Sequence, residues 1–76
     1  MYQISNNMVT IQDYSWYKRD ILNHKIYHFI YDSQCVCVQE YPDKSAAWWI
    51  LGQQAKHSRS LESAAYNALN FIGVNK

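Results

Sequence analysis

The sequence predicts an α+β domain: a small antiparallel sheet of three to four strands with a C-terminal amphipathic helix packed on one face. Three observations predict it. Leu61, Ala64, Ala65, Ala68, Leu69 and Ile72 recur at the spacing of one helical face. Residues 25–31 and 34–41 are rich in aromatic and β-branched side chains, the composition of strands. Asp32-Ser33 between them, and Pro42-Asp43-Lys44-Ser45 after them, carry the residue types that close turns. Strands first and a helix last give an antiparallel meander rather than a parallel sheet.

Taken in order, residues 8–12 are expected to form a first strand. Residues 14–22 are ambiguous, because Tyr14, Tyr17 and Ile21 fit a helical face about as well as an extended run. Asn23-His24 reads as a turn. Strands follow at 25–31 and 34–41, and residues 46–53 read as a further strand. The helix is expected over about 60–72. Ser60 is placed to cap its free N–H groups, Glu62 suits the positive end of its dipole, and Gly73 suits its left-handed close.

Composition bounds the rest. The 76 residues allow one small domain over 1–76, and such a chain buries only about 60% of its unfolded surface. Its 49% hydrophobic and 16% aromatic content, with two glycines and one proline, argues against disorder. The longest apolar run, residues 46–51, is far shorter than the ~20 residues of a bilayer helix, so no membrane association is expected. No basic segment followed by an apolar one opens the sequence, and none of the features of a secretory leader is expected. Seven Lys and Arg against six Asp and Glu leave a net charge of +1, scattered along the chain. That is neither the basic stripe of a duplex-DNA binder nor the acidic surface of a DNA mimic.

Cys35 and Cys37 are one residue apart, so in a strand they share a face. A disulfide between them would close a strained loop, and two cysteines do not make a secreted framework. A reducing, cytoplasmic location is the expectation. A metal site would add His24, His28 or His57 to the pair. Structural zinc sites usually space their cysteines by two to four residues, so the reading favours two strand thiols and no metal or other cofactor.

The strands pose a functional question. One helix covers only one face of a small sheet, yet these strands are apolar on both. Tyr27, Phe29 and Tyr31 alternate with Ile26 and Ile30, and Trp48 and Ile50 alternate with Trp49 and Leu51. A second cover is needed, from the segment carrying Tyr14, Trp16 and Tyr17 or from another chain. Seven tyrosines, three tryptophans and two phenylalanines supply both core volume and the amphipathic rings enriched at interface hot spots. One of Trp48 and Trp49 is expected in the core and the other on a partner-binding patch. Tyr27, Phe29 and Tyr31 are expected beside it, and Lys25, Lys56 and Arg59 on its polar rim.

Two other function classes compete. Sheet aromatics can stack single-stranded bases, with Lys18, Arg19, Lys25, Lys56 and Arg59 holding the phosphates. The glycine-containing motif of RNA-recognition sheets is missing, however. Catalysis is not expected: there is no nucleophile elbow, phosphate-cradling glycine loop or zinc-protease motif, and a single layer with one helix offers little concave volume.

The run Trp49-Ile50-Leu51-Gly52, followed by Ser60-Leu61-Glu62-Ser63-Ala64-Ala65 and Ala68-Leu69, resembles a strand-to-helix ending found in small phage proteins. The whole chain, short and rich in Tyr and Trp, is similar in type to phage or mobile-element inhibitors of host defence, anti-CRISPR proteins among them. Nucleic-acid mimics in that group are acidic and this chain is not, so the resemblance implies that it covers a protein surface. The expectation is a non-enzymatic module that occludes or locks a larger host protein or complex. The alternatives are a single-strand nucleic-acid-binding accessory protein and a self-assembling homodimer.

Overall fold

A computed structural model describes residues 8–22 and 24–74. Over these described residues the chain is an α+β fold in which a six-stranded antiparallel sheet is followed by one helix that packs against it. The strands are β1 (Met8–Ile11), β2 (Tyr14–Ile21), β3 (His24–Tyr31), β4 (Gln34–Glu40), β5 (Ala46–Ile50) and β6 (Lys56–Ser58), and the helix is α1 (Leu61–Ile72). Each strand pairs with the next, so the sheet order is the chain order.

The sheet is wider than the three to four strands expected. Residues 14–21 resolve as β2, because their helical and extended readings differ in what they bury. As a strand, Tyr14 and Trp16 share the face of Phe29. Trp16 becomes fully buried, its ring 5.1 Å from that of Phe29 and its Nε1 donating to the Ile11 carbonyl at 3.1 Å. The segment therefore widens the sheet and does not lie across it as a second layer. The expected strand at 46–53 stops at Ile50. Gly52, with φ 93, lets the chain turn, and the Gln53 N–H bonds the Ile50 carbonyl at 2.8 Å. Three polar residues, Lys56–Ser58, then form the short edge strand that the hydrophobic pattern does not reveal.

Among the hairpins with two-residue turns, two have both turn residues described. Gln12-Asp13 joins β1 to β2 and Asp32-Ser33 joins β3 to β4, and both residues of each pair have positive φ, the signature of a type I′ turn. Neither pair contains glycine, which is why the first was hard to see in the sequence. The turn expected at Asn23-His24 falls partly outside the described residues; His24 itself opens β3, and Leu22 before it has φ 55. The Pro42-to-Ser45 break is a turn held by the Asp43 carboxylate, which accepts from the Ser45 N–H at 3.0 Å and from its hydroxyl.

The helix follows its sequence signals closely. Ser60 caps it, its hydroxyl accepting the Ser63 N–H at 3.1 Å, and Gly73 closes it at φ 90. The Gly73 and Val74 N–H groups bond the Asn70 and Leu69 carbonyls, which satisfies two otherwise free acceptors. Ala64, Ala65, Ala68 and Leu69 are buried against β4 and β5, while Leu61 and Ile72 pack half-buried at the ends of that face. The three alanines let the helix backbone approach the sheet, and Leu69 supplies most of the helix's apolar volume there.

Candidate functional site

Register sorts the side chains into two faces. On the helix side lie Trp16, Tyr27, Phe29, Val36, Val38, Trp48 and Ile50, the bulk of the core. On the other side one continuous row runs across four strands: Tyr17 opposite His28, His28 opposite Cys37, Cys37 opposite Trp49. Ile26 and Ile30 flank this row on β3, and Met8 and Ile21 lie toward the β1 and β2 ends. No described element packs over this second face. Ile30 is 74% exposed and Tyr17 43%.

The two tryptophans divide between the faces. Trp48 is buried beneath the helix, with its ring 5.7 Å from that of Phe71. Trp49 is half-buried on the open face.

The expected companions of the surface tryptophan lie on the opposite face from Trp49. Tyr27, Phe29 and Tyr31 share the face of Trp48, because Tyr27 pairs through Val38 to Trp48 and Phe29 through Val36 to Ile50. Tyr27 is buried. Phe29 is half-buried between Trp16 and Tyr31, and Tyr31 is exposed at the margin.

The expected rim is also elsewhere. Lys25 lies on the helix face opposite Glu40, and Lys56 places its ammonium 5.2 Å from the Trp48 ring and 5.3 Å from that of Phe71. Arg59 is exposed in the segment between β6 and the helix. Alternation within each strand is as expected, whereas which face of one strand continues into which face of the next follows from register.

The row that takes their place carries unusual chemistry at its centre. Cys37 Sγ lies 3.5 Å from His28 Nδ1, and Cys35 sits two residues along β4 on the same face. Donor atoms of His28, Cys35 and Cys37 all fall within 4.8 Å of one another. Burial, aided by the Arg19 charge, holds the His28 imidazole below its usual pKa, which keeps it neutral. Burial, with Cys35 alongside, pushes the Cys37 thiol up to about 12. His28 Nε2 is buried and has no hydrogen-bond partner among the described residues. An open apolar depression of about 390 Å³ adjoins His28 and is lined also by Met8, Ser15, Tyr17, Phe29 and Ile30.

A signal for this arrangement was present in the sequence. A two-residue turn at Asp32-Ser33 pairs residues equidistant from it, which sets His28 opposite Cys37. The chain matches no family model, no curated protein and no solved structure.

Proposed function

We propose that this protein is a non-enzymatic binding module that docks the open sheet face onto an apolar patch of a larger protein and so occludes it. One observation carries the reading: the face centred on Tyr17, Trp49 and Ile30 is apolar, aromatic and uncovered by any described element. Rings of this kind bury large area at low entropic cost, and such patches mark interaction sites. An inhibitor of the phage or anti-CRISPR type, acting in a host cytoplasm, fits a chain that works by covering a surface.

Charge favours a protein partner over a nucleic acid. Among the described strand residues, Arg19 is the one formal charge on the open face, whereas Lys18, Lys25 and Lys56 lie on the helix side. A base-stacking platform needs cations around it to hold phosphates. Among the described strand residues, this face offers one.

The test pairs a disrupting and a neutral substitution in capture from host lysate. Ile30→Glu places a charge on the open face and is expected to abolish recovery of a defined partner. Tyr66→Ala, on the outer face of the helix, is expected to preserve it. Loss by both variants alike moves the interface off the sheet. Tight binding of single-stranded oligonucleotides that weakens steeply with salt supports the nucleic-acid reading instead. Sedimentation that shows a dimer broken by Ile30→Glu assigns the face to a second copy of the chain.

A further inference from the structure

We infer that His28, Cys35 and Cys37 form a zinc site on the open face of the sheet, with three protein ligands and a fourth position left for a donor from outside the chain. The inference is independent of whether a partner docks there.

One pair of donors is already at ligation distance, and the third lies near enough to close on a shared ion. Zinc–sulfur and zinc–nitrogen bonds of about 2.3 and 2.0–2.1 Å at a tetrahedral angle put a thiolate sulfur and an imidazole nitrogen about 3.6 Å apart. Cys37 Sγ and His28 Nδ1 are 3.5 Å apart. Cys35 brings a second sulfur into the same 4.8 Å cluster from two residues along the same strand. The C-x-C spacing, a poor match to the loops of zinc fingers, suits a strand, where residues two apart point the same way. The third ligand then comes from the neighbouring strand at the paired position.

The chemistry of the donors agrees. Two thiolates and a neutral imidazole select a soft or borderline ion such as zinc over calcium or magnesium. On binding, each thiol gives its proton to solvent, and the two thiolate charges balance the divalent ion. The complex is then neutral, which suits a face where Arg19 is the one charge among the described strand residues. His28 binds through Nδ1 and keeps its hydrogen on Nε2. The adjoining depression is lined by His28 but by neither cysteine, so the fourth position is taken by water or another donor that reaches the half-buried His28 and Cys35 from the open face.

The full chain, reduced, is titrated with Zn²⁺ against a chromogenic chelator and with Co²⁺ as a spectroscopic probe. One ion per chain is expected, with a thiolate-to-cobalt charge-transfer band and a melting temperature that rises with added Zn²⁺. Cys35→Ser, at a half-buried position, is expected to keep the wild-type circular dichroism while losing affinity at least tenfold and losing the charge-transfer intensity of one thiolate. His57→Gln, on the exposed edge strand, is expected to bind as wild type. Absence of saturable Zn²⁺ binding overturns the site. So does binding that survives Cys35→Ser unchanged, which would place the ion elsewhere.

Discussion

The two faces of this sheet are built from the same strands and have opposite fates. On the helix side, Trp16, Val36, Val38 and Leu69 are fully buried, and charged residues appear toward the margins, as with Asp20, Lys25 and Glu40. On the open side, Ile30, Tyr17 and Trp49 remain accessible to different degrees around a central His28–Cys37 pair. Composition does not separate them, since both are rich in aromatic and aliphatic side chains. Coverage does. The helix has room for one face, and the apolar surface it leaves behind is a property of the fold rather than of any single residue. An apolar residue on the first face is there for stability, and one on the second is free to serve binding.

Substitutions on either face test that contrast. The largest effect is expected for Trp16→Ala, which removes a fully buried ring, its contact with Phe29 and its bond to the Ile11 carbonyl. A loss of about 3–5 kcal/mol is expected, comparable to the whole stability of a small domain, and chemical denaturation should show the variant largely unfolded. Leu69→Ala comes next at about 2–5 kcal/mol, measured the same way. A melting temperature unchanged by that substitution would mean the helix does not pack on this face.

The tryptophan pair sharpens the comparison within two adjacent residues. Trp48→Ala should destabilise nearly as much as Trp16→Ala, since its ring fills space beneath the helix. Trp49→Ala should cost only about 1–2 kcal/mol in stability. In partner capture it should cost on the order of 2 kcal/mol or more, as hot-spot residues do. Equal unfolding by both would break the contrast between the faces and move the interface elsewhere.

Titration tests the same contrast through pH dependence. The folded state holds the Cys37 thiol protonated up to about 12, whereas the unfolded chain ionises it near 9.0. Stability from this group is therefore complete below that lower value and is lost as pH rises toward the higher one. His28 acts on the acid side. Its folded pKa lies below the unfolded 6.5, so its contribution is present above 6.5 and is lost as pH falls. Denaturation midpoints of wild type and Cys37→Ala across the alkaline range should converge as pH rises. A constant gap would mean that the thiol is not shielded on this face.

Local signals in the sequence were sufficient for the helix. Its spacing, the Ser60 cap and the Gly73 close act within a few residues of one another, and the structure places all three as read. The strands at β3 and β4 and the turn between them were legible for the same reason, and so was the alternation that divides Trp48 from Trp49. Only the tertiary structure decided that residues 14–21 are a strand, because Tyr14 and Trp16 reach Phe29 from the neighbouring strand only in that form. It alone showed the edge strand Lys56–Ser58, whose three polar residues carry no periodicity. It also decided which rings share a face. Side-chain alternation is fixed within a strand, but the match between strands depends on register, and a slip of one residue exchanges every side chain between core and solvent. That is why Tyr27 and Phe29 went to Trp48 and the core, while His28 and Cys37 were left to meet on the open face beside Trp49.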